Sequence, residues 1–227
     1  MFFNCYRDFE DGTTISALGY DIVLRRRSIG SLQLTSGHLI ACDPLSSLET
    51  EPFSQAFTPG SYPVSLLVAE LRDEERAAYA AIRLGNGEAI RWEVACVQGD
   101  GGVLESFEEL GYQVESSTGC FMDADTALTL IDYNQIVMPE DNEFDRLVRS
   151  QLRKRRKRGP GAATIELGRD LKLPYDDGRN LVVFDAGYGR GVYTTYIGHN
   201  ENDQIVSVVT DFQVLDFRFP SFSFRGK

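Results

Sequence analysis

The chain has 227 residues, 42% hydrophobic and 25% charged, a balance that fits a globular protein and excludes a disordered one. Its 34 acids outnumber 23 bases for a formal net charge of −11, which argues against a general affinity for nucleic acid or anionic membrane. No stretch approaches the roughly 18 apolar residues of a membrane helix, and the start has neither a cationic lead nor an apolar block, so a cytoplasmic protein with no membrane association is expected.

Residues 1–34 are weakly patterned: aromatics and acids, then the basic run Arg25-Arg26-Arg27. Ser36-Gly37 turns into a short buried strand over 39–42. Asp43-Pro44 stops it, because proline has no N–H for a ladder. Pro59-Gly60 opens a strand over 62–71 with apolar residues on both faces, and another follows over 77–84. Asn86-Gly87 is a strong hairpin signal and predicts a return along 89–97, with Ile90, Trp92, Val94 and Cys96 on one face. After Gly99-Asp100-Gly101-Gly102 come a helical turn over 107–110 and a strand over 112–115.

A helix is predicted over 123–135, where Leu128, Leu130 and Ile131 cluster behind acids. A second runs over 142–158, with Phe144, Leu147, Val148 and Leu152 along one side, and stops at Gly159-Pro160-Gly161. Strands over 181–184, 192–197 and 204–215 close the chain. The alternating Gly187, Gly189 and Gly191 predict a tight structural hairpin between the first two of these. Together these elements predict one β-rich α+β domain over 1–227: a largely antiparallel sheet or sandwich with two packed helices, then an aromatic tail over 217–227.

Several segments, taken in order, resemble a bacterial domain-of-unknown-function family, number 4241. They are 36–44, Pro59-Gly60-Ser61-Tyr62-Pro63-Val64, Trp92-Glu93-Val94-Ala95, 119–123, Gly187-Tyr188-Gly189-Arg190-Gly191-Val192-Tyr193 and Val209-Thr210-Asp211-Phe212. The similarity spans roughly residues 30–215. Arg190 stands where that family usually has Asp. The resemblance implies a single domain of bacterial or phage type and carries no activity with it.

Asp123-Ala124-Asp125 has the spacing of a phosphatase nucleophile and acid on a magnesium site. Equally, Asp123 caps a helix whose first turn holds Asp125. Asp43, Asp123, Asp185 and Asp211 all fall near strand ends, where they either converge on a hard cation or serve as turn residues. Asp123, Asp185 and Asp211 are therefore the candidate catalytic residues. No motif calls for a cofactor beyond such a divalent metal, whose ligands are unassigned. The glycine run leads into a strand, not a helix, so it is no nucleotide-binding loop. His38 and His199 are the only imidazoles. His38 and Cys42 share a strand face about 13 Å apart, too far for proton transfer. Cys5, Cys42, Cys96 and Cys120 have no CxxC spacing and are expected as reduced thiols.

Two surfaces suggest partners. Residues 146–158 hold eight bases and no acid, leaving the rest of the chain 15 of its 23 bases against all 34 acids. Arg153, Arg155, Arg156 and Arg158 are the candidate contacts, to nucleic acid, nucleotide phosphate or protein, against the alternative of a solvated helix end. Phe217, Phe219, Phe222 and Phe224 alternate on either side of Pro220, a pattern that must be covered by the chain itself, a second copy or a protein partner. The leading functional expectation is a non-catalytic binding or interaction protein of the conflict or defence type. The alternative is a metal-dependent hydrolase or nuclease using the aspartates, with the basic helix end holding phosphates.

Overall fold

The computed structural model describes residues 11–17, 20–97, 111–136, 142–156, 159–171 and 178–215, and the backbone of a last strand at 223–225. The chain opens with β1 (Thr14–Ala17) and β2 (Tyr20–Leu34), followed by β3 (Leu39–Cys42), β4 (Gly60–Glu70), β5 (Glu75–Arg83) and β6 (Arg91–Val94). Next come β7 (Tyr112–Val114), β8 (Thr118–Asp123), α1 (Ala124–Ile136) and α2 (Glu143–Arg155). The order ends with β9 (Ala162–Glu166), α3 (Leu167–Asp170), β10 (Asn180–Asp185), β11 (Gly191–His199), β12 (Ile205–Asp211) and β13 (Ser223–Arg225).

Among the described residues the strands form two antiparallel sheets. The larger runs β13-β1-β2-β4-β5-β12-β11-β6, with β7 pairing the first half of β11 and β6 the second. The smaller runs β3-β8-β10-β9. No described helix is long and apolar enough to cross a membrane.

The small sheet is the middle of three layers, and strand alternation explains why. Phe121, Val182 and Phe184 turn to the large sheet, where Phe184 meets Phe121 and Phe212 at centroid distances of 5.2 and 5.7 Å. Their neighbours Cys120, Met122, Leu181 and Val183 turn the other way, onto Leu130 of α1 and Phe144, Val148 and Leu152 of α2. A strand covered on both faces needs an unbroken apolar run, and 119–122 and 181–184 supply one. Asn180 joins the sheets: its amide accepts from Gln33 N at 2.9 Å and donates to Ser31 O at 2.8 Å, pairing with β2 as a strand backbone would.

Four expectations are corrected. The weakly patterned start holds β1 and the fifteen-residue β2, whose Ile22, Leu24, Leu32 and Leu34 are buried on either side of a bulge at 28–30. Its exposed arginines hid that pattern. Asn86-Gly87 does turn, with Gly87 at φ +92°, but the chain does not return along β5. β4 and β12 already flank β5, so β6 attaches beyond β11, and Ile90 stays 66% exposed. The glycine run is no hairpin either. β10 belongs to the small sheet and β11 to the large one, so 186–190 is a corner between layers. Residues 115–117 cross the same gap beside it, and Ala186 N donates to Ser117 O at 3.2 Å. Finally, α3 adds a third, short helix, and Leu128 lies on the open side of α1 at 61% exposure.

β8 and β9 are two further strands that the sequence pattern did not mark. β13 pairs with β1, with Phe224 in register opposite Ile15. Phe217, Phe219 and Phe222, Arg158, Cys5 and the turn expected over 107–110 lie outside the described residues.

Candidate functional site

The site begins with α2. Asn142 caps it by accepting from Asp145 N at 3.0 Å, Glu143 and Asp145 occupy its first turn, and Arg153, Lys154 and Arg155 its last. Acids and bases thus sit where the helix dipole favours each. Phe144, Val148 and Leu152 recur every fourth residue and are buried against the small sheet, so the intervening side chains of the last turn point to solvent. Arg149 is taken by Asp145 one turn back, and Arg156 by Asp185 at the end of β10.

The chain then docks onto the large sheet. Gly159, at φ +106°, lies against the ion pair that Arg27 Nη2 makes with both Glu75 oxygens at 2.8 Å. A Cβ there would stand 2.0 Å from Glu75 Oε2, so no other residue fits without displacing that pair. Asp185 completes the junction by accepting from Gly161 N at 2.7 Å, and its carboxylate holds the Arg156 guanidinium above its usual pKa.

Three residues after Asp185, the corner between the sheets presents Tyr188, 59% exposed. The Arg76 guanidinium lies 5.2 Å from the centre of its ring, within cation–π range. Arg76 is also held by Glu74, which raises its pKa, and donates to Gly187 O at 3.4 Å. Arg190, exposed, donates to Glu115 O at 2.9 Å.

The charges of this seam do not cancel. Glu74, Glu75 and Asp185 each have an arginine partner. Arg153, Lys154, Arg155 and Arg190 have no carboxylate partner among the described residues. Sequence reasoning found the basic run but missed Arg76, Tyr188 and Arg190, because nothing local marks an arginine more than a hundred residues away as a neighbour of Tyr188.

The candidate aspartates take separate places. Asp123 is fully buried at the end of β8. Its two oxygens accept from Thr35 Oγ1, Ser36 N, Ser36 Oγ, Gly37 N and Asp125 N at 2.9–3.2 Å, tying the 35–37 turn to the start of α1. Asp43, also fully buried, does the same for the 115–117 turn through Glu115 N, Ser116 N and Ser116 Oγ at 2.6–2.9 Å. Asp185 is in register with Thr118, so it and Asp123 lie at opposite ends of the β8–β10 pair, about 16 Å of strand apart. Asp211 is in the other sheet and accepts from Gln213 N at 2.7 Å. Among the described residues, no three His, Cys, Asp or Glu side chains converge as metal ligands would.

Cys42 and Cys120 do come together. They are opposed in register across β3 and β8, with sulfurs 3.7 Å apart, and burial pushes the Cys42 thiol well above its usual pKa. His38 and Cys42 flank opposite ends of β3, as their spacing implied. His199 lies at the end of β11, its Nε2 3.1 Å from Glu93 Oε1 but not aligned for a hydrogen bond, and its Nδ1 3.8 Å from Asp203 Oδ1. A cleft of about 460 Å³ lies between Phe57, Tyr62, Asn86 and Gln204, with no charged side chain in its lining.

Fold and seam together define a β-rich α+β protein, sheet on sheet on helices, with a cationic surface built on an acidic body. The chain belongs to a family described as a protein of unknown function, DUF4241, whose model matches residues 32–210. No curated protein and no solved structure matches it.

Proposed function

We propose that this protein is a non-catalytic binding protein whose partner carries clustered negative charge, engaged by the last turn of α2. The observation that carries this reading is the unneutralised run Arg153, Lys154 and Arg155. The chain has 34 acids, and of its other seam cations Arg27, Arg76, Arg149 and Arg156 are paired with carboxylates, while Arg190 has no such partner among the described residues. Three adjacent exposed cations exceed what a helix dipole of about half a charge requires, and they repel one another unless a counter-charge arrives. The hydrolase reading has weaker support. Asp123 already accepts five hydrogen bonds, and Asp185 is shared between Arg156 and Gly161.

Fluorescence anisotropy tests this with two labelled polyanions, an oligonucleotide and a polyglutamate peptide. The wild type should bind at least one at low salt, losing affinity as salt rises. Replacing Arg153, Lys154 and Arg155 with Ala should weaken that binding by about tenfold or more. A wild type that binds neither probe, or a triple variant that binds as well as the wild type, overturns the proposal.

A further inference from the structure

We infer that Tyr188 is a stacking platform for a base of single-stranded nucleic acid whose phosphates lie on the α2 end, an assignment that rests on the anionic-partner reading above. The basic run has no aromatic residue of its own. The tertiary structure supplies one: the Arg156–Asp185 pair fastens the cationic turn to the strand whose corner, three residues on, carries Tyr188.

Exposure and orientation make this ring different from a chance surface aromatic. Arg76 lies over the ring at 5.2 Å from the centroid, yet 59% of the residue remains open to solvent. A cation behind the ring fixes its plane before any ligand arrives. Arg76 is itself fixed by Glu74 and the Gly187 carbonyl. The backbone beneath is equally constrained: Gly189 N donates to Ala186 O at 2.5 Å, and Gly187 packs on Phe212. Pre-setting a contact in this way lowers the ordering cost of binding.

Among the described residues, unpaired cations adjoin the platform along the chain and through the Arg156–Asp185 pair. Arg153, Lys154 and Arg155 stand beyond the Arg156–Asp185 pair, and Arg190 follows Tyr188 by two residues. Cations tracking a backbone beside an exposed aromatic face describe how unstructured strands are held without sequence preference. An acidic peptide would use the cations but leave the ring idle, because a carboxylate offers no planar face to stack.

Three probes separate the outcomes: an oligothymidylate of about 15 nucleotides, a phosphodiester strand of equal length without bases, and polyglutamate. Anisotropy with Tyr188→Ala should show about tenfold weaker binding of the oligothymidylate and no change with the baseless strand. Tyr188→Phe should bind as the wild type does. The Arg153, Lys154, Arg155 triple alanine variant should lose both strands. Equal oligothymidylate binding by Tyr188→Ala and the wild type overturns the platform, while loss in the triple variant would leave the anionic-partner reading standing. Binding of polyglutamate but of neither strand also overturns the platform and makes the partner an acidic protein. A wild type that binds no probe overturns both. Circular-dichroism melts of each variant exclude unfolding as the cause.

Discussion

Arg156 grips Asp185 along one edge of its guanidinium, with Nε 3.0 and 3.2 Å from the two oxygens and Nη2 2.6 Å from one of them. The pair joins the end of α2 to the end of β10. Its partners are unequal in burial: the arginine side chain is 51% exposed and the aspartate 19%.

That inequality predicts unequal costs. Arg156→Ala should lower unfolding free energy by less than about 1 kcal/mol, because a half-exposed ion pair is largely screened. Asp185→Ala should cost more, about 1–2 kcal/mol, since Gly161 N then loses its acceptor. Urea denaturation of the two variants measures both, and the reverse order would show that the pair is not held as described.

The three glycines of the 187–191 run should not behave alike. Gly187 is at φ +40° with Phe212 Cβ only 2.7 Å from where its own would lie, and Gly189 is at φ +107° against Ser117. Gly187→Ala and Gly189→Val should each cost about 1–3 kcal/mol. Gly191 already has strand conformation, and a Cβ there meets only the Tyr193 ring at 3.2 Å. Gly191→Ala should therefore shift the melting temperature least of the three.

Asp123 is expected to act in folding. Asp123→Ala strips the acceptor from the backbone donors of Ser36, Gly37 and Asp125 and should cost about 3 kcal/mol. Asp123→Asn keeps one oxygen and should cost less. Both follow from chemical denaturation, and native stability in Asp123→Ala would reopen a functional role for this carboxylate.

The thiols give a pH prediction. Burial, and then the neighbouring Cys120, raise the Cys42 pKa well above the usual 9.0, so the folded protein keeps this proton where the unfolded chain has lost it. The resulting stability is complete below about pH 9 and declines as pH rises beyond it toward the folded value. Cys42→Ala should show a shallower fall between pH 8 and pH 10 in urea titrations. In the native wild type, Cys42 and Cys120 should also resist thiol reagents until denaturant is added, and rapid native labelling of Cys42 would contradict its burial.

Local chemistry made much of this protein legible in its sequence. The Asn142 cap, the burial of Phe144, Val148 and Leu152, and the Gly159-Pro160 stop specify α2 almost residue by residue, because helix bonds close within four residues. The apolar runs of β3, β4, β5 and β10 likewise announced strands, and the composition gave the chain its net acidity. The sequence match to a family of unknown function supplied no chemistry to add to these.

What only the tertiary structure decided is which strands pair, and hence which side chains meet. Asn86-Gly87 and the Gly187–Gly191 run have hairpin composition, yet β12 already occupies the edge of β5, and β10 and β11 enter different sheets. Cys42 and Cys120 are 78 residues apart in the chain and 3.7 Å apart in space. The Arg76–Tyr188 contact and the capture of Asp123 by the 35–37 turn have the same origin. A turn motif fixes the backbone over only a few residues, whereas the choice of partner strand follows from burying every apolar face at once, and no local window of the chain contains that information.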